Sequence, residues 1–236
     1  MSQDKTFLET YDPDQFPHPS VTVDVALLTT VEGALKALLV QRTEPPQQGA
    51  WSLPGGFVEF DESLDKAASR VLKTKAGLKK VFLEQLYTFG KPGRDPRTRV
   101  ITVAYYALIN AERLKENLFT LHVPWEGEKG GAVKALDERG KRLKLAFDHA
   151  DILGTAVKRL RGKLNYSPIG FQLLPKRFTL RELQEVHEII LNKKLNKDSF
   201  RRRMLASGAL EATGELEQNV TYRPAELYEF IEGSAI

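Results

Sequence analysis

The stretch PGGFVEFDESLDKAASRVLKTKAGL, residues 54–78, decides the fold of the first half of this sequence. Its second part has apolar residues at the three- and four-residue spacing of one helical face, and Gly77 stands where a helix would end. We therefore predict a helix over residues 62–76. The apolar positions are Leu64, Ala67, Ala68, Val71 and Leu72.

The same residues resemble the Nudix box, the motif of pyrophosphate-cleaving enzymes, written G-x5-E-x7-R-E-U-x-E-E-x-G-U with U apolar. The preceding WSLPGG is also similar to that family, which makes an accidental match on an ordinary helix the weaker interpretation. The resemblance implies a pocket shaped for a pyrophosphate compound. The matching positions are Gly56, Glu62, Arg70, Leu72, Gly77 and Leu78.

The metal-binding glutamates of the box are replaced here by Val71, Thr74 and Lys75. Positions three and four apart share a helical face, and in active enzymes that face holds Mg²⁺ through oxygen ligands. The metal polarises the pyrophosphate and activates water. Because Glu59 and Glu62 alone are poor ligands for a divalent ion, we expect hydrolysis to be absent or weak. We assign no catalytic residue and no metal.

A second segment, GRDPRTRVITVAYYAL, resembles the RDPRGR segment of ADP-ribose pyrophosphatases within the Nudix superfamily. Its arginines suit phosphate because the planar guanidinium donates two hydrogen bonds. Trp51 or Phe57 could stack on an adenine, although Trp51 could equally belong to the core and loop arginines are often only solvated. The candidate effector-binding residues are Arg42, Trp51, Phe57, Glu59, Arg94, Asp95 and Arg97, and Arg70 is expected to pair with a loop carboxylate.

Composition sets wide limits on function. The 236 residues contain no cysteine, so nothing indicates an oxidising compartment. Apolar residues make up 42% and charged residues 28%, as in an ordinary soluble protein. The first residues have no apolar signal region, and the apolar run VTVDVALLTT is too short to span a bilayer. We expect a cytoplasmic protein with no membrane partner.

Strand and helix patterns alternate along the first part of the chain. VTVDVALLTT and LKALLVQR predict a hairpin around VEGA, and LEQLYTFG and RVITVAYYALIN predict further strands. FDHADILGTAVKRLRGKL predicts a second amphipathic helix. The fold class is α+β, with a Nudix-like α/β/α sandwich at residues 1–155, a linker at 156–172 and a second domain at 173–236.

The second domain has the pattern of a winged helix-turn-helix. In FTLRELQEVHEIILNKK, Thr179 and Glu182 form a capping box at the start of a helix. A short turn leads to NKDSFRRRMLASG, a second helix for which Asn196 or Asp198 is the expected cap. ALEATGELEQNVTYRPAELYEF then predicts two strands around a polar loop.

Basic residues concentrate in the second of these helices, where a recognition helix meets the major groove of DNA. Lysines would reach phosphates, one or two of the arginines would read guanine edges, and Arg223 would lie on the wing. Phe200 and Met204 are expected in the core. A solvated basic face is the alternative. The candidate DNA-binding residues are Lys193, Lys194, Lys197, Ser199, Arg201, Arg202, Arg203 and Arg223.

Taken together, these segments resemble the Nudix-related transcriptional regulators, the NrtR family, over nearly the whole chain. The resemblance implies a homodimeric repressor on a palindromic double-stranded DNA operator, released by ADP-ribose or a related nucleotide and often regulating NAD metabolism genes. No cofactor is implied beyond that effector. The stretch VPWEGEKGGAVKALDERGKRLK departs from the family, being longer and more charged than is usual there.

Other functions remain open at the level of sequence. The chain could be a Mg²⁺-dependent Nudix ADP-ribose pyrophosphatase with an accessory basic domain, or an RNA-binding adaptor. The latter is disfavoured because RNA readers usually present aromatic residues for stacking. The histidines, at positions 18, 122, 149 and 187, have no metal-ligand spacing. His187 is expected to be structural, and His149 to orient the start of a helix.

Overall fold

The computed structural model describes residues 3–114, 117–164 and 166–231. Its helices are α1 (Gln3–Thr10), α2 (Leu64–Ala76), α3 (His149–Lys163), α4 (Leu180–Leu191) and α5 (Lys197–Ala206). Its strands are β1 (Ser20–Val31), β2 (Ala34–Leu38), β3 (Val40–Gln41), β4 (Trp51–Ser52), β5 (Gly55–Phe57), β6 (Phe82–Phe89), β7 (Val100–Leu108), β8 (Leu118–His122), β9 (Lys134–Leu136), β10 (Leu210–Leu216) and β11 (Glu226–Phe230). Short 3-10 turns occur at Pro13–Gln15, Ala111–Arg113 and Pro168–Leu173.

Strand β1 lies in the middle of a mixed sheet with the order β6-β7-β1-β2-β8-β9. It runs parallel to β7 and antiparallel to β2, and β5 pairs with its first half. Residues 22–29 of β1 are all buried. A strand that is buried on both faces needs an element packed against each of them.

Helices α2 and α3 supply those two layers. Val25 and Leu27 of β1 belong to the core cluster that contains α2, whereas Ala26 and Leu28 belong to the cluster that contains α3. Successive side chains of a strand point to opposite faces, so one strand serves both cores. The predicted α/β/α sandwich is confirmed.

The predicted hairpin between β1 and β2 is also present. Val31 pairs with Ala34, which leaves a two-residue turn of Glu32 and Gly33. Both turn residues have positive φ, 53° and 71°. Turns of this kind match the twist of the flanking strands, which is why a glycine is placed there.

The predicted helix in the box segment is α2. Ser63 caps its N-terminus by accepting a hydrogen bond from the Lys66 amide, and Gly77 ends it in the left-handed conformation. Its buried positions are Ala67, Ala68, Val71 and Leu72, as the apolar spacing predicts.

The range predicted as a linker, 156–172, contains the second half of α3 and the 3-10 turn at Pro168–Leu173. The predicted boundary at 155 falls inside α3, whose second half is packed in the core through Val157 and Leu160. The 3-10 turn that follows buries Ile169 and Phe171. These apolar side chains pack because exposing them to water would be unfavourable, so these described parts of the predicted linker belong to the core. Residues 1, 2, 115, 116, 165 and 232–236 of the predicted ranges lie outside the described residues.

The second part of the chain is a winged helix. The capping box of Thr179 and Glu182 opens α4, and Asn196 caps α5. Strands β10 and β11 form the hairpin, and Phe178 exchanges backbone hydrogen bonds with Tyr228 of β11. The predicted helices and hairpin are therefore confirmed.

One hydrophobic core runs through both parts. The ring of Phe171 stacks on Phe230 of the wing at 4.6 Å between centroids, and Phe171 also contacts Phe178. Residues from β1, α3, α4 and α5 all belong to this cluster. The orientation of the winged helix relative to the sandwich is thus determined by packing.

The segment that departs from the expected family pattern packs against α3 at a glycine. A Cβ at Gly154 would overlap the carbonyl oxygen of Gly131, which is backbone and cannot swing aside. At Gly162 on the same helix, a Cβ would meet only the side-chain end of Glu128. The first glycine is required by packing and the second is not.

We expect Gly154→Ala to lower the free energy of unfolding by about 1–3 kcal/mol, the usual cost of overpacking. The matched Gly162→Ala substitution should be neutral or stabilising, because alanine favours helix by up to about 1 kcal/mol over glycine. Urea unfolding of both variants checks this. Equal stabilities for the two variants would contradict the close backbone contact.

Candidate functional site: a polar cavity and a basic winged helix

A cavity of about 570 Å³ opens where β1, β5 and the start of α3 meet. That volume suits a small-molecule ligand. Of the predicted effector-binding residues, Arg42, Phe57, Arg94, Asp95 and Arg97 line it. Its walls also contain Asp24, Lys75, Phe147 and His149, which were not among the predicted effector residues.

A network of buried charges forms the floor of the cavity. Nε and one terminal nitrogen of Arg94 donate to the two oxygens of Asp148, at 2.8 and 2.5 Å, and Asp24 lies 3.6 Å away. Burial by itself would lower the pKa of Arg94, but the hydrogen bonds with Asp148 and the charges of Asp148 and Asp24 raise it. The guanidinium is therefore held in place by carboxylates, and Arg94 is not an exposed clamp.

His149 lies fully inside this network as a neutral ring. Its Nδ1 accepts a hydrogen bond from the Leu53 amide at 2.9 Å, so the proton is on Nε2, which faces Asp24 at 3.6 Å. Burial lowers the pKa of His149, which opposes protonation. Gly55 has no side chain because a Cβ there would overlap the Asp24 carboxylate. The expectation that His149 orients a helix start agrees with its position as the first residue of α3.

The rim of the cavity is made of arginines stacked on aromatic rings. Arg97 pairs with both oxygens of Asp95 and lies over Phe57, with 5.4 Å between the guanidinium carbon and the ring centroid. Arg42 lies 4.9 Å from the Phe147 ring centroid and donates to backbone carbonyls of its own loop. Guanidinium groups held in this way keep a planar face and a positive charge directed at the cavity.

Two predicted effector residues lie elsewhere. Trp51 does not line the cavity, because its ring packs on Phe119 at 4.4 Å between centroids. Glu59 is largely exposed and faces Arg70, at 3.5 Å. Adenine stacking by Trp51 or Phe57 stays a prediction, and of the two rings only that of Phe57 lines this cavity.

Arg70 has the structural role that was predicted. It pairs with Glu62 and donates to the Phe57 carbonyl, so it ties α2 to the loop that precedes it. The hydrogen bond from Arg70 lowers the pKa of Glu62 to about 2. Glu62 is thereby engaged as an ion-pair partner.

The three positions that replace the box glutamates lie three and four residues apart on α2 and therefore share one side of the helix. Val71 is buried in the core beside Gly56, and the Thr74 hydroxyl donates back to the carbonyls of its own helix. Lys75 is the one of the three that lines the cavity. In the described residues, no group of three or more histidine, cysteine, aspartate or glutamate side chains is placed to hold a metal ion.

The winged helix has a groove between α4, α5 and the wing that is lined by both basic and acidic side chains. The acidic ones are Glu185, Glu188, Glu217 and Glu226. Lys194, Lys197, Arg201 and Arg223 of the predicted DNA-binding set line the groove. Phe200 and Met204 are buried beneath, as predicted, so α5 is fixed with its charged side outward. The exposed cations of this groove come from α5, from the turn before it and from the wing, which are the elements predicted to contact DNA.

The remaining basic residues point in other directions. Arg202 is exposed on α5, and Arg203 lies over the Phe200 ring at 5.6 Å. Ser199 lies beside Arg203 in a small depression. Lys193 lines a cavity between the winged helix and the sandwich. Successive helical residues diverge by about 100°, so the predicted spread of the arginines follows from the helix itself.

Glu188 organises the turn between α4 and α5, and the sequence pattern did not reveal it. Its side chain accepts hydrogen bonds from the Leu195 amide, from Gln184 and from Lys194. The bond from Lys194 is the largest cause that lowers the pKa of Glu188 to about 2. Lys194 is therefore partly neutralised, and its predicted phosphate contact would compete with this pair.

In the described part of the chain, no helix is both long and apolar enough to cross a bilayer. The fold and the site together define a class of protein, in which a Nudix sandwich with a polar cavity is joined to a winged helix whose second helix is rich in basic residues.

Comparison with known proteins supports this class. Residues 18–139 match the NUDIX domain, and residues 170–230 match the NrtR DNA-binding winged helix domain. The chain is 40% identical, over 97% of its length and 89% of the relative's, to the "ADPR responsive transcriptional repressor NtrR" of Acinetobacter baylyi. It belongs to the NrtR family of Nudix-related transcriptional regulators.

Similar proteins have been solved in complex with DNA and in complex with ADP-ribose. Shewanella oneidensis NrtR bound to a 27mer DNA is 35% identical, with a TM-score of 0.74, and the match covers 89% of this chain and 93% of that one. The Nudix domain of the same protein bound to ADP-ribose is 34% identical, with a TM-score of 0.52, and the match covers 68% of this chain and 99% of that one.

The pair of Glu62 and Arg70 gives a test in acid. Because the folded-state pKa of Glu62 is lowered from 4.5 to about 2, its contribution to stability is complete above pH 4.5 and is lost as the pH falls towards 2. We expect the wild type to exceed Glu62→Gln in free energy of unfolding at pH 7, with a difference that shrinks at pH 4 and again at pH 3.

Urea unfolding at these pH values measures the difference. Asp61→Asn, which removes an exposed carboxylate one residue away and leaves the Glu62–Arg70 pair intact, is the matched control. A Glu62→Gln difference that stays constant from pH 7 to pH 3 would show that the ion pair does not form.

Proposed function

We propose that this protein is a transcriptional repressor that binds operator DNA through its winged helix and releases it when ADP-ribose occupies the cavity. The observation that carries the proposal is Lys75, a cation on the cavity wall where the Nudix box has a metal-binding glutamate. A fixed positive charge attracts a pyrophosphate and disfavours a divalent metal at the same place. The cavity would then bind the nucleotide without cutting it.

The contacts of the rim support a nucleotide ligand. Phe57 offers a ring for an adenine, and Arg97 and Lys75 offer charge for phosphates. Arg42 and Asp95 would complete the rim, while Arg94 would shape the floor through its pair with Asp148. These groups match those of ADP-ribose, which has one base and two adjacent phosphates.

We further propose that the protein is not a hydrolase. Glu62, the one carboxylate of the box that remains, is paired with Arg70. Glu59 also faces that arginine. Carboxylates paired with a guanidinium have fewer free lone pairs for Mg²⁺. The rival function, ADP-ribose pyrophosphatase, would need metal ligands recruited from elsewhere.

For DNA, the groove supports roles for Lys194, Lys197 and Arg223 at phosphates and for Arg201 at a base edge. Lys193 lies outside this groove. Arg202 would reach the flanking backbone, while Arg203 and Ser199 lie to the side of the groove. We propose a homodimer in the cytoplasm, with two winged helices on a palindromic operator. The family resemblance favours NAD metabolism genes as targets.

The first test is a fluorescence-anisotropy titration onto the DNA upstream of the gene, at fixed salt because phosphate contacts make affinity salt-dependent. We expect specific binding that weakens by about 5- to 150-fold with saturating ADP-ribose, the usual range of ligand coupling. Chromatography of the same mixture with Mg²⁺ should recover intact ADP-ribose. Release of AMP at ordinary enzymatic turnover would favour the hydrolase instead.

The second test concerns the recognition helix. Loss of one base-reading arginine costs about 1–3 kcal/mol, or roughly 5- to 150-fold in affinity. We expect Arg201→Ala to weaken operator binding by that factor and to weaken binding to a scrambled duplex much less. Lys66→Ala, which removes an exposed charge on α2 of the sandwich, is the control and should change neither affinity. An equal loss on both duplexes would reassign Arg201 to the DNA backbone.

A further inference from the structure

Helix α3 begins at the cavity and ends at the winged helix. At its start, Phe147 and His149 line the cavity and Asp148 holds Arg94. Near its end, Arg161 is buried and reaches across to α4. Twelve residues separate His149 from Arg161 along the helix, about 18 Å at 1.5 Å per residue.

Arg161 joins three segments of the chain. Its Nε donates to the carbonyl of Ile190 at 2.8 Å, and one terminal nitrogen donates to the carbonyls of Trp125 and Gly127 at 3.1 and 3.2 Å. The guanidinium carbon also lies 4.8 Å from the Trp125 ring centroid. The longer segment that departs from the family pattern therefore helps to hold the winged helix.

The contact to Ile190 is placed where it can affect DNA binding. Ile190 is in the last turn of α4, whose final carbonyls have no partner within the helix and carry partial negative charge. The helix dipole favours a cation there, while burial lowers the pKa of Arg161, so its charge depends on these carbonyl contacts. Directly after α4 come the turn organised by Glu188 and the recognition helix α5. A shift of Arg161 would therefore change the position of the turn and of the start of α5.

The backbone just before the start of α3 has an energetically unfavourable conformation. Phe147 has φ of 50°, a left-handed conformation that is unfavourable for a bulky residue. It is kept there by the Gln47 side chain, which accepts from its amide, and by Arg42 over its ring. A nucleotide in the cavity would compete with these contacts for Arg42 and Phe147. It would thereby shift the first turn of α3, which follows Phe147 directly.

Between its ends, α3 is continuous and tightly packed. Its buried side chains fill the core, and Gly154 touches the Gly131 backbone. When the two ends of one helix contact different sites, a change of conformation at one site can alter the conformation of the other.

We propose that α3 couples the effector cavity to the DNA-reading helices, and that Arg161 is the positioning residue at their junction. The inference rests on the proposed function. It adds the route by which occupancy of the cavity alters operator affinity.

Arg161→Lys tests the junction, because lysine keeps the charge but cannot place planar donors on three carbonyls at once. Arg159→Lys is the matched control: it is the same substitution on the same helix, and Arg159 contacts Leu86 and Glu84 of the sandwich. For each protein, operator affinity is measured by anisotropy with and without saturating ADP-ribose. ADP-ribose affinity is measured by calorimetry without DNA.

We expect ADP-ribose affinity to be unchanged in both variants. The ratio of operator affinities without and with ADP-ribose should fall below about 2-fold in Arg161→Lys and stay at the wild-type value in Arg159→Lys. A wild-type ratio retained by Arg161→Lys would overturn the coupling role alone. A ratio of one in the wild type would instead refute the proposed response to ADP-ribose.

A second measurement does not depend on the folding of Arg161→Lys. The chain has two tryptophans, so Trp51→Phe leaves Trp125 as the sole reporter beside Arg161. Trp125 does not line the effector cavity. With binding verified by calorimetry, saturating ADP-ribose should change the Trp125 emission if α3 moves at its far end. An unchanged emission spectrum would overturn the proposal.

Discussion

Burial of β1 on both faces is the constraint on which the rest of the structure depends. Residues 22–29 can leave water only if helices cover each side of the sheet, so α2 and α3 take opposite faces. The box segment thereby lies on one side of the strand, and the helix that reaches the winged helix lies on the other. Asp24, in the same strand, is consequently carried into the gap between the layers. The cavity is an outcome of how the layers meet at the end of the sheet.

Charge inside that gap is tolerated because it is organised. Isolated buried charges are costly, whereas paired and hydrogen-bonded ones are retained. Arg94 satisfies this condition with Asp148, and neutral His149 adds no further charge. The result is a floor that is polar and already oriented before a ligand arrives. Preorganised groups reduce the cost of ordering on binding. By contrast, Arg97 and Lys75 at the rim are exposed to solvent. The site therefore has a buried floor and a solvent-accessible rim.

Local patterns predicted much of the fold, while long-range packing did not follow from them. The helix in the box segment, the capping box at Thr179 and the buried Phe200 depend on neighbours a few residues away, and these were predicted correctly. The contact of Arg94 with Asp148 joins positions 54 residues apart. No local spacing reveals such a pair. The packing of Phe171 on Phe230 and of Trp51 on Phe119 also joins positions that are distant in sequence, so neither contact follows from a local pattern.

The core shared by the sandwich and the winged helix has a consequence for how DNA can be read. A reading domain on a flexible tether loses orientational entropy each time it binds, but here Phe171, Phe178 and Phe230 fix the orientation when the chain folds. In a dimer, two winged helices held in this way would present their recognition helices, α5, at one distance and one angle. Duplex DNA turns by about 34° per base pair, so inserting even one pair between half-sites would rotate the second away from its helix. The spacing of the operator is then as much a part of the recognised signal as its bases.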